Sequence, residues 1–77
     1  MDDIPIESLM EYGLKRRHVL TLMKAGVKTI GDLAKQYSNH DDPITAIIKL
    51  PRCGGAIAWH TWKAYTEFLK NRKEVKV

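Results

Sequence analysis

The chain has 77 residues, 44% hydrophobic and 29% charged, which suits one small domain with one modest core and excludes a disordered composition. Its single cysteine excludes an internal disulfide, and without a secretory signal the expected compartment is the cytosol, so the localisation expected is cytoplasmic. No apolar run approaches the roughly 20 residues that span a bilayer, and the net charge of +4 is unevenly placed: residues 1–12 carry Asp2, Asp3, Glu7 and Glu11 and no base, whereas residues 13–77 carry all 13 bases against five acids, a local +8.

Five helices are expected, and no segment alternates in the manner of a strand. Pro5 opens a short helix near 5–12, with Ile6, Leu9, Met10 and Tyr12 at helical spacing and Gly13 at its end. A second helix covers about 15–25. Val19, Leu22 and Met23 form its apolar face, which Leu20 broadens, and Gly26 stands where a left-handed residue closes a helix. Thr29 caps a third helix, with Asp32 in its first turn and Ile30, Leu33, Ala34 and Tyr37 facing inward. Ser38-Asn39-His40-Asp41 is a loop. Asp42-Pro43 is a start signal for a fourth helix over about 43–49, with Ile44, Ile47 and Ile48 as its buried side. The last helix starts near Gly55 and runs to about 70. Ala58, Thr61, Trp62, Tyr65, Phe68 and Leu69 form its inner stripe, and the charged tail from 70 to 77 is expected to fray. The whole is an all-α bundle, a single domain with its core over about 5–70.

Two phrases have the form helix, glycine turn, helix. One surrounds Gly26; the other is Leu50-Pro51-Arg52-Cys53-Gly54-Gly55-Ala56-Ile57-Ala58. A glycine-bearing turn that opens a helix aims several backbone N–H groups at one point, at the positive end of the helix dipole, and can hold a phosphate. Arg52 adds a charge there. Upstream, Lys15-Arg16-Arg17-His18 is the densest basic cluster. Cations at a helix start oppose the dipole at a cost of about 0.3–1 kcal/mol each, which suggests a role outside the fold. The nucleic-acid-binding candidates are therefore Lys15, Arg16, Arg17, Arg52, Gly54 and Gly55.

Leu50-Pro51-x-Cys53-Gly54-x-x-x-Ala58 is similar to the helix-hairpin-helix phrase of DNA-repair and recombination proteins. Leu14, Arg17, Leu22, Ala25-Gly26-Val27, Thr29-Ile30-Gly31-Asp32-Leu33 and Pro51-x-Cys53-Gly54 resemble, over about residues 12–70, the C-terminal domain of the bacterial RNA polymerase alpha subunit and related SAM-like domains. That resemblance implies a DNA-binding module associated with transcription. It grips the backbone across a minor groove, with Arg17 matching the arginine that enters the groove and Gly54 matching the turn glycine. The family's asparagine one turn after the arginine is Leu20 here, and the lysine and serine after the turn glycine are Ala56 and Ile57. Apolar residues at those places fit a second reading, a protein–protein adaptor of the same fold that has lost DNA binding, one possible partner being the polymerase. Its contacts would be Leu20, Ile57 and Trp59. Duplex DNA or a protein is thus the expected partner, with no membrane.

Neither metal nor cofactor is expected. His18, His40, His60 and Cys53 lack zinc-site spacing. Cys53 is expected to pack as a small apolar residue, and with no orienting acid for a Cys53–His60 pair no enzymatic activity is expected.

Overall fold

The computed structural model describes the backbone of residues 4–76 and the side chains of residues 4–71. Among them are a 3-10 helix, Ile6–Tyr12, and four α-helices: α1 Arg16–Lys24, α2 Ile30–Ser38, α3 Pro43–Ile48 and α4 Gly55–Lys76. There is no strand among the described residues; one antiparallel bridge, Pro5 to Thr29, ties the N-terminal segment to the α1–α2 connection. Ile6 N–H donates to Lys28 O at 3.0 Å and Ile30 N–H to Ile4 O at 2.8 Å on either side of that bridge.

The first helix differs from expectation in kind. With three residues per turn, a 3-10 helix eclipses positions i, i+3 and i+6, and Ile6, Leu9 and Tyr12 have that spacing. Ile6 and Leu9 are fully buried and Tyr12 meets Phe68 edge-on at 6.0 Å. Met10 belongs to the inner face only at α-helical period, and it is 42% exposed. Pro5 precedes the helix as its N-cap residue, and Gly13, at φ 98°, ends it.

Helix α1 closes on a Schellman turn. Val27 N–H donates to Leu22 O at 2.9 Å and Gly26 N–H to Met23 O at 3.1 Å, with Gly26 at φ 100°. Val27 and Leu22 are both buried beneath it. Helix α2 starts on a capping box: Asp32 N–H donates to Thr29 Oγ1, and Thr29 N–H donates to Asp32 Oδ2. Asp32 also accepts from Lys28 N–H, and these bonds hold its carboxyl below the usual range. Asp42 Oδ2 caps α3 through Thr45 N–H and Oγ1, with Pro43 in the first turn.

Helix α4 is the spine, packing against α3 and the 3-10 helix. Its stripe buries Ala58, Thr61, Tyr65 and Phe68, with Ala64 added and Leu69 half-buried. Trp62, expected as core, is half-buried at the edge of the core, within an aromatic cluster. Its ring lies 5.0 Å from Tyr37 and 6.0 Å from Tyr65. Burial raises the pKa of the Tyr37 and Tyr65 hydroxyls. The helix continues past its expected end near 70, as far as Lys76, so the part of the tail expected to fray that is described is helical; Val77 lies outside the described residues. Helix α3 also corrects one expectation. Ala46 and Ile47 are buried and Ile44 half-buried, but Ile48, the last residue of α3 and about 100° round the helix from Ile47, is 47% exposed.

Candidate nucleic-acid interface

Helix α1 turns about 100° per residue, so three successive residues leave it in three directions. That geometry divides the basic cluster. His18 goes inward and is 6% exposed, on the core side with Val19 and Leu22. Its ring stacks on His60 of α4, with centroids 5.4 Å apart and planes 17° from parallel. Burial lowers the His18 pKa below 6.5, and the positive charges of Arg17, His60 and Lys15 lower it further. Nδ1 is buried and has no hydrogen-bond partner. His18 is therefore a neutral packing residue, not part of an exposed basic patch.

Arg17 is exposed on a second face. Positions i, i+4 and i+7 align on a helix, so Arg17 shares this face with Thr21 and Lys24, and Thr21 Oγ1 donates to Arg17 O at 2.9 Å. Thr21, Lys24 and Ala25 line a recess of about 320 Å³ together with Pro51 and Arg52. The hairpin arginine therefore sits beside the C-terminal half of α1, while His60 touches its N-terminal half through His18. Between Arg52 and His60 lie Gly54, Gly55 and Ala56, all exposed. The third face carries Arg16, which lines a separate groove with Glu7, Met10, Val19, Leu20 and Met23. Lys15 is exposed at the N-cap and makes no side-chain capping bond, and no acid stands in the first turn of α1.

The hairpin reverses the expected roles of its residues. Its left-handed residue is Arg52, at φ 63°, whereas neither Gly54 nor Gly55 has positive φ. A Cβ built on either glycine would meet nothing within 4 Å. Gly54 N-caps α4, its carbonyl accepting from Ala58 N–H at 3.0 Å, a place where glycine is acceptable. Gly55 begins the helix with neither a conformational nor an internal packing need for glycine. The first-turn amides of α4 open to solvent there, since a helix leaves its first four N–H groups without internal partners.

Of the six residues selected for phosphate binding, Arg52, Gly54 and Gly55 share the hairpin, and the face of Arg17 lies beside it. Arg16 points elsewhere. Lys24 was missed, although its spacing from Arg17 marks the shared face. Of the three residues selected for a protein partner, Leu20 lies in the groove with Arg16, Ile57 is half-buried against the core, and Trp59 is 55% exposed on α4. Cys53 is buried, which pushes its thiol pKa up, away from the thiolate a nucleophile needs. Among the described residues no three His, Cys, Asp or Glu groups converge as metal ligands, and no helix is long and apolar enough to cross a membrane.

Compared with family models, curated proteins and solved structures, the chain matches none.

Proposed function

We propose that this small helical domain is a non-enzymatic, cytoplasmic module that binds duplex DNA through its backbone, with Arg17 reaching into a minor groove. The observation that carries the reading is the open start of α4. Two exposed glycines, one without any need inside the fold, present first-turn amides beside Arg52 and the Arg17–Lys24 face. Glycine allows close approach of an external group, and the helix dipole favours an anion there. The resemblance to the polymerase alpha C-terminal domain supplies the choice of minor groove and an attachment to transcription.

The phosphate contacts in this reading are Lys15, Arg17, Lys24, Arg52 and the amides of Gly54 and Gly55. Binding is weak, near the ~10⁻⁴–10⁻⁶ M of non-specific complexes. An NMR titration with a short AT-rich duplex at two salt concentrations tests it. Shifts are expected at residues 14–20, at Lys24 and at residues 51–58. Four neutralised phosphates give a slope of log affinity on log salt of about −3.6. Arg17→Ala should weaken binding most and erase any AT preference, since an arginine in a narrow minor groove senses its shape. Lys24→Ala should cost more than Arg16→Ala, because Arg16 faces the other groove. No shift at millimolar DNA in low salt refutes the reading and leaves the adaptor, which the exposed Trp59 favours.

A further inference from the structure

The groove between the 3-10 helix and α1 shares no lining residue with the proposed phosphate contacts, and its lining is mostly apolar. It measures about 270 Å³, and Met10, Val19, Leu20 and Met23 line it, with Glu7 and Arg16 as its charged members. Met10 and Leu20 stand out from it, 42% and 46% exposed, so the same surface has both a hollow and two apolar projections.

The position of the two charges decides what fits. The 3-10 helix runs antiparallel to α1. Its start is held at the far end of α1, where Ile6 N–H meets Lys28 O, and its end leads through Gly13 and Leu14 into Arg16. Glu7, early in the 3-10 helix, therefore lies towards the Met23 end of the groove. Arg16, the first residue of α1, lies at the other end. Arg16 and Met23 are about 10 Å apart along the helix axis at 1.5 Å per residue. Acid stands at one end, base at the other, and apolar side chains between them.

A two-fold axis through the middle of such a groove exchanges its ends. It sets Glu7 of one copy against Arg16 of the other, twice, and Leu20 and Met10 of each against the hollow of its partner. A surface that complements itself in charge and in shape is what a two-fold dimer requires. We infer that this groove is a self-association surface and that its occupant is a second copy of this chain. The contact is small, so the dimer is a weak one, formed at high concentration and loosened by salt. The inference does not depend on DNA binding, because the groove shares no lining residue with the proposed phosphate contacts, although Lys24, four residues after Leu20, stands at its border.

Sedimentation velocity across a concentration series tests it, with the melting curve of each variant followed by circular dichroism. The wild-type chain should move from monomer to dimer as concentration rises. Leu20→Glu should abolish the dimer and leave the melting curve of the monomer unchanged, whereas Ile48→Glu, an equally exposed position outside the groove, should leave the dimer intact. Glu7→Arg and Arg16→Glu should each weaken it at least tenfold by placing like charges together. The double variant Glu7→Arg/Arg16→Glu restores opposite charges across the axis and should return to within about threefold of wild type. A chain that stays monomeric at millimolar concentration overturns the inference. A double variant as weak as the singles, or an equal loss in Ile48→Glu, also overturns it.

Discussion

Replacing Arg52 by glycine should move stability and DNA affinity in opposite directions. Arg52 is the described non-glycine residue with positive φ, at 63°. An L-residue in that left-handed region is strained by about 1–2 kcal/mol. Glycine removes the strain, and its greater freedom in the unfolded chain takes back roughly 0.5–1 kcal/mol. The net gain is about 0.5–1 kcal/mol. For a domain of this size that raises Tm by roughly 2–8 °C. The side chain lines the recess with Pro51 and the Thr21, Lys24 and Ala25 face of α1, and Arg52 is exposed, so little core packing is lost with it. The same substitution deletes one proposed phosphate contact, so the salt slope should shrink by about 0.9. Arg52→Ala separates the two effects, since alanine keeps the strained backbone and loses the charge. It should bind DNA as poorly as Arg52→Gly without the gain in Tm. Thermal melts and duplex titrations of the two variants decide the matter. A lower Tm for Arg52→Gly refutes the strain argument, and wild-type affinity in both variants removes Arg52 from the phosphate set.

Trp62→Ala should cost about 2–3 kcal/mol, below the ~3–5 kcal/mol of a fully buried tryptophan, because the ring is half-buried against Tyr37 and Tyr65. Trp59→Ala, at an exposed position, should stay within about 0.5 kcal/mol in urea unfolding; equal damage from both would place Trp59 in the core. Stability should fall in two separate pH ranges. The His18 pKa is lowered in the fold, so between that lowered value and 6.5 the unfolded chain binds more protons and Tm drops as pH falls through 6.5. The carboxyls of Asp32 and Asp42 are held below 3.8 by their capping bonds, so their contribution is present above 3.8 and is lost as pH falls through their lowered values. His18→Phe should flatten the first decline and leave the second; an unchanged first decline would assign it to another group.

What could be read from the sequence is what depends on neighbours within a few residues. The Thr29–Asp32 and Asp42–Pro43 starts and the Gly13 and Gly26 ends are local chemistry, and each stands where its residues place it. The misplaced residues depend on angles or on distant partners. Periods of 3 and 3.6 differ over Ile6–Tyr12 only in where they put Met10. Ile48 is exposed although Ile47 beside it is buried, a division that the isoleucine run does not reveal. Arg52 carries no local signal for a left-handed turn. His18 resembles the arginines beside it until His60, far along the chain, stacks on its ring. The basic run was legible as charge. Its division among three faces follows from the turn of the helix once the inner face is known.

The same comparison gives physical content to the functional reading. A sequence that specifies its fold makes local and global preferences agree, and departures from that agreement concentrate at functional sites. The chain departs three times along the junction of α1 with the hairpin. Lys15 and Arg17, with Arg16 turned to the neighbouring groove, crowd the positive end of a helix that has neither an acid in its first turn nor a side-chain cap. Arg52 takes the left-handed position that glycine would fill at lower energy, while Gly55 occupies a helical position that needs no glycine. Within the fold each choice is unfavourable: α1 is held by its Schellman end and by the burial of Val19 and Leu22 in spite of its start. An anion against this junction offsets the first departure by neutralising the crowded charge. It gives the second a purpose by meeting the Arg52 guanidinium, and the third by approaching the bare α4 amides. A protein partner at the same place would satisfy the charge but would not require glycine at the helix start, and this is the physical reason the phosphate reading is preferred.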